Sequence, residues 1–265
     1  MSASASTSAS AIPSIFSKFS ESELEVLRKN ISFSEPISKD NSPKKSFINV
    51  GERAFRVRTP LLRAPFGSSS KTWGNNATPS YSLSLSLGSS TTEEKQFIKF
   101  LETIDERIVE NAFEKQGEFI TGKKRKSWSK DDIKDNYISL VTESFSENGE
   151  YPPNLRLKFS GMQPFRNVSF IDSKTKTAIE LNGEENWESL VPKGSKVSCI
   201  FKVSYMGLAP GDKFYVKIFP ESLLISRPVD EIAFEDAFDD LIISESRDSR
   251  DSRDDTENVE DPQDY

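Results

Sequence analysis

Histidine is absent from this 265-residue chain. With it go the most frequent general base and the commonest metal ligand. Ser-His-Asp and Cys-His nucleophile arrangements are excluded, and so are histidine-containing zinc clusters. Cys199 is the only cysteine, so no internal disulfide can form. It falls on the apolar side of its segment, where a buried thiol is the expected state. No apolar run approaches membrane-spanning length. Met1-Ser-Ala-Ser-Ala-Ser lacks the basic-then-apolar order of a secretory leader. The chain is therefore read as intracellular, with no membrane partner. No phosphate loop occurs, and no local carboxylate pair singles itself out. An enzyme is disfavoured, and neither a metal nor a cofactor is expected.

The net charge of −7 hides an asymmetry. Residues 229–265 hold 15 Asp and Glu against 3 Arg, a net of −12, which leaves the rest of the chain at +5. A mildly basic body carries a strongly acidic tail. That division suggests a charged partner for the body and a separate role for the tail. Mean hydropathy is −0.55 and serine crowds the N-terminal residues, so the patterned part is shorter than the chain. It runs from about residue 46 to 228. Residues 1–45 read as a disordered N-terminal extension with a short helix, and 229–265 as the acidic tail.

The most informative stretch is Lys196–Ile225, two strand-like runs around the turn Ala209-Pro210-Gly211-Asp212. In the first run Val197, Cys199, Phe201, Val203 and Tyr205 share one face by strict alternation. Lys196, Ser198, Ile200, Lys202 and Ser204 share the other. In the second, Phe214, Val216 and Ile218 alternate with Lys213, Tyr215, Lys217 and Phe219. The ordinary reading is a half-buried hairpin with a solvated outer face. The sharper reading is a surface for nucleic acid, where bases stack on aromatics and cations follow phosphates.

Other segments repeat the design. Phe55 and Val57 alternate with Arg56 and Arg58, and Leu155, Leu157 and Phe159 alternate with Arg156 and Lys158. The faces are compatible with one basic sheet surface, although alternation alone does not join them. Tyr81-Ser-Leu-Ser-Leu-Ser-Leu87 is the cleanest strand pattern. Phe97, Leu101, Ile104, Ile108 and Ala112 recur at helical spacing and predict a helix over about 93–115, its stripe read as core. Ser20 with Glu23 fits a capping box for a short helix within the stretch up to Asn30, whose Leu24, Leu27 and Ile31 dock on the body or on another protein, the first being the favoured reading. Val168–Asp172 and Thr177–Leu181 suggest a hairpin, and Trp187-Glu-Ser-Leu190-Val a short helical or loop link.

Two further features are ambiguous. Trp73 sits in the polar loop FGSSSKTWGNNATPS, as a cap on the core edge or as a base-stacking finger. Lys123-Lys124-Arg125-Lys126 precedes Trp128, as a solvated loop, a nuclear-import signal or a backbone contact. In the tail, VDEIAFEDAFDDLII places Phe234 and Phe238 at near-helical spacing among carboxylates, and the chain ends Asp264-Tyr265. Such a tail is often only solubilising. The apolar residues and the final aromatic make it a candidate docking segment.

The order of these elements resembles the OB-fold single-stranded-DNA-binding proteins of tailed phages and large eukaryotic DNA viruses. The likeness is carried by Phe55-Arg-Val-Arg-Thr-Pro60, Tyr81–Leu87, the helix near 93–115, Tyr151-Pro-Pro-Asn-Leu-Arg-Leu-Lys158, Lys193–Ile225 and the acidic ending. The resemblance implies a mainly β (α+β) chain: an OB-fold-like β-barrel with one long inserted helix and disordered termini. It also implies sequence-independent binding of single-stranded DNA in viral replication, recombination or repair. The tail would recruit replication proteins (a polymerase, helicase or primase) through Phe234, Phe238, Asp264 and Tyr265. The site of action would be the host nucleus or cytoplasm, with packaging in the virion open. A homodimer is also left open. Candidate stacking residues are Trp73, Trp128, Tyr215 and Phe219. Candidate phosphate contacts are Arg56, Arg58, Lys123, Lys124, Arg125, Lys126, Arg156, Lys158, Lys202, Lys213 and Lys217. The family's usual terminal Phe is Tyr here, and the N-terminal extension and triple Ser-Arg-Asp repeat lie outside its pattern. The alternative is an acidic-tailed chaperone or virion scaffold protein that binds basic proteins.

Overall fold

The structure, a computed structural model, describes residues 12–38, 43–72, 79–88, 91–120, 127–146, 149–159, 167–180, 187–209 and 211–228. In chain order it begins with α1 (Glu21–Asn30) and strands β1 (Ile31–Phe33), β2 (Lys45–Val50), β3 (Arg53–Arg58), β4 (Leu62–Arg63), β5 (Ser68–Lys71) and β6 (Ser80–Ser86). Helices α2 (Thr92–Phe119) and α3 (Lys130–Asp135) follow, then β7 (Tyr137–Ile138), β8 (Val141–Ser146), β9 (Gly149–Phe159) and β10 (Ser169–Asp172). The short helix α4 (Trp187–Leu190) leads into the long hairpin β11 (Lys196–Ala209) and β12 (Lys213–Ser226).

The hairpin is the spine. β11 pairs antiparallel with β12 along its length, and its other edge serves β4, β3 and β2 in turn. Three short strands thus share one long edge. From β4 the sheet continues through β6 and β9 to β8, while the outer edge of β12 takes β10 and β7 in parallel. The chain is mainly β, and this sheet curls into a half-barrel. The curl brings β9 back toward β12 and leaves an open seam between them.

The concave side is apolar for the reason the alternation implies. Phe55, Val57, Leu83, Leu85, Leu155, Leu157, Val197, Cys199, Phe201, Val203, Phe214 and Leu223 are all buried. The inserted helix α2 fills it with Phe97, Phe100, Leu101, Ile104, Ile108 and Ala112, the stripe expected from spacing. Its N-terminus is capped by the Thr91 hydroxyl, which accepts from the Glu94 N–H at 3.3 Å. A cap of this kind satisfies one of the otherwise orphaned first-turn donors.

The N-terminal segment is built into this core. Ser20 caps α1, and the Glu23 carboxylate turns back to accept from the N–H groups of Lys18 and Phe19 at 3.1 and 2.8 Å. Leu24 and Leu27 are buried. Phe19 packs on Phe97 and Phe100, and Phe16 on Phe55 and Phe100. Phe16 also extends the sheet: its N–H donates to the Arg56 carbonyl at 3.0 Å, and its carbonyl accepts from the Arg58 N–H at 2.9 Å.

Candidate nucleic-acid interface

Cross-strand partners in an antiparallel sheet project from the same face. The registers of β3, β11 and β12 align Arg58, Ile200 and Ser222 in one outward row. The next row is Arg56, Lys202 and Phe219. With β2 in place of β3, the following rows are Phe47, Tyr205 and Lys217, then Lys45, Gly207 and Tyr215. Basic and aromatic side chains from four strands therefore form one convex platform.

Tyr205 is its centre. Its ring lies 6.0 Å from Phe47, 6.3 Å from Tyr215 and 6.4 Å from Phe219, centroid to centroid. Lys45 Nζ stands 4.9 Å over the Tyr205 ring, and Lys217 Nζ stands 5.2 Å over Phe219. Cations held over aromatic faces gain from the ring quadrupole. Burial, helped by Tyr215 beside it, pushes the Tyr205 hydroxyl up to about 12, so it stays protonated at neutral pH.

Strict alternation assigns Tyr205 to the apolar face, and the structure corrects this. The β11–β12 register skips between Val203 and Tyr205. Ser204 takes the extra place and is buried, while Tyr205 turns outward. One inserted residue reverses every side chain after it. Gly207 has a matching role. A Cβ there would stand 3.0 Å from the Tyr215 Cζ and hydroxyl, so the ring rests on the space a side chain would occupy.

The platform continues across the seam. There Arg156 and Lys158 of β9 face Tyr215 and Lys217 of β12 over a groove of about 450 Å³. Ile138 and Leu140 form its third wall. Burial lowers the Lys217 pKa, and repulsion from Lys158 lowers it further. An anion between the two would relieve both costs. Arg156 donates to the Ser82 hydroxyl at 3.3 Å, and among the described residues none of Arg156, Lys158 and Lys217 has a carboxylate within ion-pair distance. The third wall is braced from behind by Asp105 of α2. Its carboxylate accepts from the Tyr137 hydroxyl at 2.6 Å, the Ser139 hydroxyl at 2.5 Å and the Leu140 N–H at 3.0 Å. Burial outweighs these bonds and pushes Asp105 up to about 6.

No family model matches this chain, and no curated protein matches it. Among solved structures it is similar to the single-stranded DNA-binding protein from bacteriophage Enc34 in complex with ssDNA. That match has 12% identity over 74% of this chain and 96% of the other, with a TM-score of 0.39. A second structure of the single-stranded DNA-binding protein from bacteriophage Enc34 matches at 13% identity, covering 75% of this chain and 92% of the other, with a TM-score of 0.38. Its C-terminal truncation matches at 14%, covering 76% and 97%, also at 0.38.

Of the residues singled out from sequence, Arg56, Arg58, Lys202, Tyr215, Lys217 and Phe219 share the platform, and Arg156 and Lys158 join it at the seam. Arg56 is engaged by Glu221, its Nε 2.7 Å from the carboxylate. Lys213 is exposed at the hairpin tip opposite Ala209. Trp128 is elsewhere: it packs against inward-facing Phe214 at 6.3 Å, tied to Gln116 by its N–H and carbonyl. Trp73, Lys123, Lys124, Arg125, Lys126, Phe234, Phe238, Asp264 and Tyr265 lie outside the described residues. Sequence reasoning passed over Lys45, Phe47 and Tyr205. Phe47 carried a signal. It shares parity with Lys45 and Asn49 while Ser46, Ile48 and Val50 are the buried set, so an aromatic stands on a polar face. No comparable pattern marks the bulge that exposes Tyr205.

Proposed function

We propose that this chain binds single-stranded DNA without sequence preference across the platform and seam. The observation that carries the reading is the ring cluster of Phe47, Tyr205, Tyr215 and Phe219, threaded by Lys45, Lys202 and Lys217 on one face. Unpaired bases offer π-faces to such rings, worth roughly 1–3 kcal/mol per base, whereas duplex bases are already stacked on each other. The cations carry the electrostatic share. Contacts from Lys45, Arg58, Arg156, Lys158, Lys202 and Lys217 would give a slope of about −4 in log K against log salt for a single strand. The convex, ring-bearing face suits a flexible strand that can drape over it.

The further parts of the proposal rest on composition. A sequence-blind binder of this kind serves DNA replication, recombination or repair. The tail at 229–265, acidic with interspersed Phe234, Phe238 and Tyr265, suits recruitment of replication proteins. The test of the central claim is fluorescence anisotropy of the full chain with a poly-dT oligonucleotide and a duplex of equal length, at low and moderate salt. Tight, salt-sensitive binding to the single strand with weak duplex binding is expected. Equal binding to both, or to neither, overturns the proposal and turns attention to basic proteins as ligands.

A further inference from the structure

The outward side chains of β2, β3, β11 and β12 that form the platform include one carboxylate, Glu221. It sits where the β11–β12 register skips a second time: Phe201 pairs with Pro220 and Ile200 with Ser222, which leaves Glu221 as the extra residue. The bulge sends its side chain across β11 to Arg56 on β3, where Oε2 accepts from Nε at 2.7 Å. Both side chains remain partly exposed, Arg56 at 41% and Glu221 at 33%. An incoming phosphate can therefore reach the pair. Glu221 is not needed to cover a buried charge, since Arg56 has solvent available. Among the described residues Lys202, the next cation in the same row, has no such partner.

From this we infer that Glu221 is an internal stand-in for a DNA phosphate, which holds Arg56 until a bound strand displaces it and so sets how far across the sheet binding extends. Resting on the single-stranded DNA reading, the inference adds a rule to it. A strand that crosses only β12 and the seam leaves the Arg56–Glu221 pair intact. One that continues onto β3 must exchange the carboxylate for a phosphate. Arg56 then contributes little net affinity in the native chain, because one anion replaces another.

The test is a double-mutant cycle with Glu221→Gln, Arg56→Gln and the double variant, in the full chain, by anisotropy with a dT oligonucleotide long enough to cover the platform. Freeing Arg56 adds one phosphate contact, which steepens the log K against log salt slope by about 0.7. At 0.1 M salt that corresponds to binding tighter by about 5-fold. Arg56→Gln is expected to cost little in the native background and to abolish the gain in the Glu221→Gln background. Weaker binding by Glu221→Gln, or an unchanged slope, overturns the inference and makes Glu221 an orienting partner for Arg56. Thermal melts of each variant separate these outcomes from loss of fold. If the native chain itself does not bind the oligonucleotide, the parent reading fails instead, and this is seen before any variant is compared.

Discussion

Tyr205→Ala separates two accounts of the same residue. If strict alternation ruled, Tyr205 would sit in the core beside Val203. Truncating a buried aromatic there would cost about 3–5 kcal/mol of stability. The bulge at Ser204 places it outside, against three other rings and under Lys45. Truncation then removes edge contacts between half-exposed rings, and about 1 kcal/mol is the expected loss of stability. The larger effect falls on binding. One base loses its stacking partner, at roughly 1–3 kcal/mol, which is about 5- to 150-fold in affinity. The upper half of that range is expected, because Phe47, Tyr215 and Phe219 each lose the ring they lean on. Denaturant unfolding and anisotropy with a dT oligonucleotide measure the two quantities on the same preparation. The salt slope should be unchanged, since no cation is removed. A stability loss of several kcal/mol with native affinity would refute the outward placement and the platform with it. The informative companion is Trp128→Leu, expected to lower stability and leave affinity unchanged because Trp128 packs on the inward Phe214.

Other consequences are as direct. Gly207→Ala puts a methyl 3.0 Å from the Tyr215 ring, which must give way by a few tenths of an ångström; a small loss of single-strand affinity with little change in melting temperature is expected. Replacing Lys158 and Lys217 together by Gln should lower the magnitude of the salt slope by about 1.4, two contacts' worth for a single strand, while relieving the repulsion between them should leave the fold as stable or slightly more so. Asp105 gives a pH signature. Its folded pKa is about 6 against an ordinary 3.8, so the folded state favours the protonated form. The associated stability is present in full below about pH 4 and is lost as pH rises through 6. The loss is at most about 3 kcal/mol. Urea melts between pH 4 and 7.5 should show that decline, and Asp105→Asn should remove it; a parallel decline in the variant would assign it to other groups.

Where sequence and structure agree, a uniform repeat is responsible. The spacing of Phe97, Leu101, Ile104, Ile108 and Ala112 placed the inserted helix, which extends from Thr92 to Phe119 because Thr91 caps it and Phe119 reaches Phe214. The inside and outside of β3, of β9 from Leu155 on and of β12 as far as Phe219 follow period two, so Arg56, Arg58, Arg156, Lys158, Tyr215, Lys217 and Phe219 were legible as outward residues. Their union was not. Which strands neighbour each other depends on non-local pairing, and β11 meets β4, β3 and β2 along a single edge only because β12 occupies the other. Asp105 was illegible for a similar reason. Its partners Tyr137, Ser139 and Leu140 lie more than thirty residues away, and nothing near it in sequence distinguishes it from the other acids of α2.

The failures of alternation that shape the platform fall in one hairpin. Two register skips lie in the β11–β12 pairing, one at Ser204 and one at Glu221, and the platform lies between and beside them; a further skip, between Thr142 and Ser144, lies in the β8–β9 pairing. Regular pairing through Ser204 would send Tyr205 into the core and leave Phe47, Tyr215 and Phe219 without a common neighbour. Regular pairing through Glu221 would place its carboxylate in line along β12, without the cross-sheet reach that meets Arg56. A bulge re-aims one or two side chains at the cost of a ladder hydrogen bond, and such irregularities persist where the re-aimed side chains matter. The two here have opposite effects on an anion: the first completes a ring cluster under lysines, and the second sets a carboxylate against an arginine. Deleting Ser204 should therefore leave Tyr205 outward, directly after inward Val203 and still opposite Lys217, so a folded deletion variant should keep far more single-strand affinity than Tyr205→Ala; a loss as large as that of Tyr205→Ala would refute this account of the bulge.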